Sequence, residues 1–188
     1  MKKLVVSRIH FIPTLLALVS ALLLQQPAHA SPFGQGIFSA DVPFGSLTSL
    51  AIALGGNVGI SLAPSGGNFS GTGNHTLTVT SNDVIGYRLY ALSPATTTMT
   101  LSGGSDTIPA SSNSSPATLA VNTWGYNTTG STTDFIGMKT TPTLIKDAVG
   151  PYKNGDDTTV TYGALTDITK SAGAYTVDVV YTVVAKNP

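Results

Sequence analysis

Apolar residues recur along this chain at every second position, in short runs, and not at helical spacing. "SLAIAL" sets Leu50, Ile52 and Leu54 on one face. "VGISL" sets Val58, Ile60 and Leu62 on one face, and Gly55-Gly56 between the two reads as a turn. "PSGGNFSGTGN" (64–74) reads as a loop. "HTLTVT" then alternates His75, Leu77 and Val79 against Thr76, Thr78 and Thr80. "IGYRLYAL" alternates Ile85, Tyr87, Leu89 and Ala91 against Arg88, Tyr90 and Leu92. "TTTMTLS" carries Met99 and Leu101, and the serine-rich stretch 102–116 reads as a loop with one short strand at Ile108. "ATLAVNTWGY" is a further strand region, "DFIGMKT" and "TPTLIKDA" are weaker ones, and "GPYKNGDD" (150–157) is a turn cluster. "TTVTYGAL" aligns Val160, Tyr162 and Ala164. After the turn "KSAG", "AYTVDVVYTVVA" aligns Tyr175, Val177, Val179, Tyr181 and Val183 against Thr176, Asp178, Val180, Thr182 and Val184.

No segment holds an apolar helical period with caps over three turns. Many short strands joined by Gly, Ser and Asn loops predict an all-β fold, an antiparallel β-sandwich of Ig-like or jelly-roll type. The length allows about nine strands of ordinary size. Both faces of the last strand are largely apolar, which predicts a central strand or one with a covered second face. The alternative is a terminal strand shared with a neighbouring subunit. No internal repeat points to a propeller or solenoid.

Composition sharpens the compartment. Lys2, Lys3 and Arg8 precede an apolar run, Phe11 to Leu24, and "QQPAHA" ends in small residues at Ala28 and Ala30. This is the pattern of a secretory signal peptide over residues 1–30, cut after Ala30. The run is short for a membrane span, which needs about 20 apolar residues. No transmembrane segment is expected in the mature chain, and no cysteine follows the run to carry a lipid. Residues 31–45, "SPFGQGIFSADVPFG", read as an N-terminal arm, and 46–188 as one sandwich domain. Beyond the leader, six Lys and Arg stand against nine Asp, with no Glu and no Cys. Such a chain has no basic stripe to neutralise phosphates, so nucleic acid is not an expected partner.

Little chemistry is marked. The only histidine after the leader is His75, in phase with Leu77 and Val79, and no serine lies in a G-x-S-x-G context. Nine aspartates single out no carboxylate pair of the kind a glycosidase needs. No catalytic residue and no cofactor are expected, and the chain is read as no enzyme, with a secreted hydrolase the least favoured reading. Asn154, Asp156 and Asp157 in "YKNGDDT" resemble part of a calcium loop but lack its further acidic positions and closing glutamate, so a β-turn is expected and no metal site. Asn68, Asn74, Asn113 and Asn127 fit the N-glycosylation pattern, which Asn/Ser/Thr-rich chains meet by chance.

The candidate binding residues are Trp124 and Tyr126. In uninterrupted register Leu119 and Val121 face one way and the two aromatics the other, where they could stack on a sugar ring. A β-bulge at Asn122-Thr123 would instead turn all four inward. The second placement is favoured, because the core has few other large residues and a buried indole brings about 200 Å² of apolar area. Gly125 between the rings suits close packing under a neighbouring strand.

"TLTVTSNDVIGYRLYAL", "ATLAVNTWGYN", "FIGM" and "TVTYGALTDITKSAGAYTVDVVYTVVA" occur in an order that resembles exported β-sandwich surface proteins of small candidate-phylum bacteria. The resemblance covers residues 74–188 with gaps, on a "WGY" strand and a terminal Tyr/Val hairpin. A fainter likeness links it to WxL wall-binding domains, although the motif here is Trp124-Gly125-Tyr126. The resemblance implies a cell-surface or envelope role. The expectation is therefore a secreted, non-enzymatic protein that assembles or adheres, with a cell-wall or host-surface component or copies of itself as partner. The alternative is a carbohydrate-binding adhesin that uses exposed aromatics.

Overall fold

A computed structural model describes residues 49–186. The leader with Ala28 and Ala30, and the arm 31–45, lie outside the described residues. Thirteen strands make up the described fold. They are β1 (Ser49–Leu54), β2 (Ala63–Ser65), β3 (Asn68–Asn82), β4 (Gly86–Leu92), β5 (Met99–Leu101), β6 (Thr107–Ile108) and β7 (Ala117–Thr118). They continue with β8 (Thr123–Asn127), β9 (Asp134–Phe135), β10 (Thr143–Val149), β11 (Tyr152–Thr166), β12 (Tyr175–Thr176) and β13 (Val180–Lys186). Every strand-to-strand pairing is antiparallel.

The main sheet runs β1-β3-β11-β8, with β2 on the end of β3. The second sheet is β10-β4-β13, and β12-β5-β6 and β7-β9 are small ribbons. One core joins the two larger sheets. Leu77 and Val79 of β3, Val160, Tyr162 and Ala164 of β11, and Trp124 and Tyr126 of β8 meet Tyr87, Leu89 and Ala91 of β4. Period-two alternation predicts each of these β3, β4 and β11 positions, because a pleated strand sends every second side chain inward. The fold is the expected antiparallel β-sandwich.

Thirteen strands replace about nine for local reasons. Stretches that read as one strand divide in two, "ATLAVNTWGY" into β7 and β8 and the terminal run into β12 and β13. The stretch 64–74 is β2, a tight turn at Gly66-Gly67, and the first half of β3. The turn cluster 150–157 lies mostly within β11, whose register shifts between Tyr152 and Asp156. The terminal run is not one strand: it breaks at Val177–Val179, so β12 and β13 belong to different sheets. Its facing is nevertheless as the alternation predicts, with residues 175, 177, 179, 181 and 183 half-buried and the intervening ones exposed. Among the described residues β13 is therefore neither central nor covered on its second face. It is the last strand of its sheet, with Val180 43% and Val184 48% exposed.

The run 58–62 also departs from its expected form. Leaving β1 at Leu54, the chain keeps one rung, Gly55 N–H to Thr76 O at 2.9 Å, and then crosses the inner face of β3 as a strap. Gly71 and Gly73 make this possible. A Cβ on Gly71 would lie 2.3 Å from Ser61 O, and one on Gly73 would lie 2.6 Å from Gly59 O. Val58 and Ile60 pack from the strap onto the core.

Candidate functional site

Trp124 and Tyr126 are buried, at 0% and 1% exposure. The phase change that turns them inward is a turn and not a bulge within a strand. β7 ends at Thr118, and Asn122 takes the left-handed conformation at φ 64° just before β8 begins. Asn tolerates that region better than most residues. Here its side chain also exchanges two hydrogen bonds with Asp167: Asn122 Nδ2 donates to Asp167 Oδ2, and Asp167 N–H donates to Asn122 Oδ1, both at 3.1 Å. Thr169, through its hydroxyl and then its backbone N–H, holds the Asp167 carboxyl below its ordinary pKa. Because the reset occurs before β8, Val121 stays 44% exposed and does not join the core as a bulge would require.

The glycine between the rings has a specific task. Gly125 pairs with Gly163 of β11, and on the sheet's other face the two leave a slot for Phe135. A Cβ on Gly163 would meet the Phe135 ring at 2.3 Å, and one on Gly125 would meet Ile136 O at 2.6 Å. Tyr126 and Ile136 exchange backbone hydrogen bonds at 2.9 and 2.8 Å beside the slot. Asn127, 1% exposed, closes the intervening loop by donating to Ser131 O and Asp134 O. Asn113 donates to Phe135 O from the opposite side. Two of the four glycosylation-pattern asparagines thus have their amides engaged inside the fold.

The indole reaches a cavity from below. Trp124 Nε1–H donates to Thr97 O at 2.9 Å, and its ring lies 6.3 Å from that of Tyr162. Above them is a cavity of about 330 Å³, between the strap, the inner face of β3 and β11, and the chain from β12 into β13. Its polar corner is His75, Tyr162 and Tyr181. His75 Nδ1 faces Gly56 O at 2.9 Å, and Nε2 faces the Tyr181 hydroxyl at 2.8 Å. The Tyr162 and Tyr181 hydroxyls are hydrogen-bonded to each other. Burial pushes the Tyr162 phenol up to about 12, although its hydroxyl contact opposes the shift. Burial, then the Tyr162 neighbour, raises Tyr181 further still. Both therefore remain protonated phenols at neutral pH.

His75 meets a carbonyl and a phenol, and among the described residues no serine or aspartate side chain bonds to either ring nitrogen. Asp156 and Asp157 are likewise occupied. Asp156 accepts from Lys146 Nζ at 2.7 Å and from the Tyr87 hydroxyl at 2.6 Å, and Asp157 accepts from Thr78 at 2.6 Å. Sequence reasoning takes His75 alone and misses its partners. The available signal was that His75, Tyr162 and Tyr181 all fall on inward-facing positions, where polar groups need mates.

A second hollow, about 840 Å³, adjoins the first along the strap and shares Val58, Ile60 and Met99 with it. The segment between β11 and β12 borders it, tied down by Asp106. That carboxylate accepts from Ser171 N–H at 2.8 Å, Lys170 Nζ at 3.1 Å and the Tyr175 hydroxyl at 3.0 Å. The Ser171 amide and then Lys170 hold its carboxyl well below the usual carboxylate range.

With this geometry in hand, the chain was compared with known proteins. No protein family, no curated protein and no solved structure matches it. Among the described residues, no helix is long and apolar enough to cross a membrane.

Proposed function

We propose that this is an exported, non-enzymatic structural subunit of a cell envelope, which assembles with copies of itself through β13 and the outer face of its sheet. The observation that carries this reading is the contrast between the two outer strands of the second sheet. β10 carries Lys146, Asp147 and a register shift between Leu144 and Lys146, the usual protections of a sheet edge. β13 has no charge, proline or irregularity from Val180 to Ala185, and pairs only with β4 among the described residues. Its outward Val180 and Val184 continue across the sheet to Leu92 and Arg88, and Leu144 stands 47% exposed beyond them. An unprotected edge beside an apolar face is a template for strand addition.

Sedimentation of the purified chain over a range of concentrations tests this. Oligomers that grow with concentration are expected, and Val184→Lys should shift them to monomer without altering the circular dichroism. A wild-type chain that stays monomeric at high concentration would end the reading. The carbohydrate-adhesin alternative rests on exposed aromatics, and the burial of Trp124 and Tyr126 removes that support.

A further inference from the structure

We propose that the cavity beneath the strap is a binding site for a small neutral molecule built of one aromatic ring and one hydroxyl. Its volume, about 330 Å³, sits at the lower end of ligand pockets. It is larger than the roughly 150 Å³ apolar cavity that admits benzene. Leu54, Val58, Ile60 and Met99 supply apolar walls, above the buried rings of Trp124 and Tyr162.

Counting hydrogens in the polar corner gives the ligand's other half. Gly56 O can only accept, so in the neutral imidazole His75 Nδ1 carries the single ring hydrogen. Nε2 is then an acceptor and takes the Tyr181 hydrogen. The Tyr181 oxygen in turn takes the Tyr162 hydrogen. Every hydrogen of the relay is spent, and lone pairs remain on the two phenol oxygens. The corner therefore accepts a donor, such as a ligand hydroxyl. Among the described residues no Lys or Arg lines the cavity, so an anion there would lose its hydration without a partner. Among the described residues the one carboxylate on the lining belongs to exposed Asp178. The strap forms one side of the cavity. After Gly55 it makes no backbone ladder bond among the described residues until β2, and it carries glycines at 56 and 59.

The test uses p-cresol, with toluene as the analogue lacking the hydroxyl and p-toluate and benzylamine as charged analogues. Saturation-transfer NMR reads binding directly, and fluorescence of Trp124, the only tryptophan in the chain, reports occupancy. Saturable p-cresol binding is expected, with toluene about 5- to 10-fold weaker for want of one hydrogen bond and no binding of the charged analogues. Ile60→Trp should block both p-cresol and toluene. Absence of saturable p-cresol binding overturns the proposal. So does equal binding of p-cresol and toluene to the wild type, tighter binding of either charged analogue, or p-cresol binding that survives a folded Ile60→Trp.

Discussion

Gly163 and Gly125 show how much one hydrogen atom in place of a methyl can decide. Neither has a positive φ, so neither is required for backbone conformation. Both are required because Phe135, 3% exposed, lies where their side chains would be. Gly163→Ala should therefore force the Phe135 ring out of its slot and cost about 1–3 kcal/mol, the usual penalty for overpacking. Urea denaturation measures the loss. In the Phe135→Leu background the same substitution should cost less, because the smaller side chain leaves room. Equal costs in both backgrounds would place the clash elsewhere. The "WGY", "FIGM" and "TYG" stretches, far apart in the chain, are thus three parts of one contact. The sequence shows each aromatic but not the slot, since only the strand register brings Gly125 opposite Gly163.

Strands were legible where one face meets the core and the other meets water. Leu77 and Val79, Tyr87, Leu89 and Ala91, and Val160, Tyr162 and Ala164 all follow period two into the interior. Legibility failed where glycine marks a close approach instead of a turn. Gly71 and Gly73 made the first half of β3 look like a loop, and the strap they admit looked like a strand. The break between β12 and β13 was hidden because the alternation passes through it unchanged. What holds the segment before β12 is the Asp106 contact, and its strength has a definite pH range. A depressed carboxyl pKa contributes stability that is complete above its unfolded value, about 3.9. That contribution is lost as pH falls from there toward the folded value. The gap in thermal midpoint between wild type and Asp106→Asn should accordingly be constant above about pH 5 and shrink below about pH 4. A gap that does not vary with pH would mean that the carboxylate's charge is not what fastens the segment.

The molecule as a whole is organised around one long pairing. β3 and β11 are joined rung by rung from Phe69 opposite Thr166 to Val79 opposite Asp156, and after a register shift at Ser81 opposite Tyr152, while β1, β2 and β8 attach to their outer edges. The candidate site inherits this arrangement: His75 stands on β3, Tyr162 on β11 and Tyr181 on β13, so it exists only once the distant halves of the chain have met. The residue types were visible in the sequence, but their meeting was not, since nothing local encodes a contact between positions so far apart. The same pairing bears on how fast the protein can form. A sheet whose central rungs all join the first part of the domain to its last part cannot nucleate on a local hairpin, and high contact order slows folding to milliseconds or seconds. Stopped-flow refolding followed by Trp124 fluorescence should show that range, and a microsecond phase carrying most of the amplitude would contradict it. For a chain proposed to leave the cell through a leader-guided channel, slowness is useful. β11 cannot close on β3 until residues 152–166 have been synthesised, so the growing polypeptide lacks its central pairing up to that point.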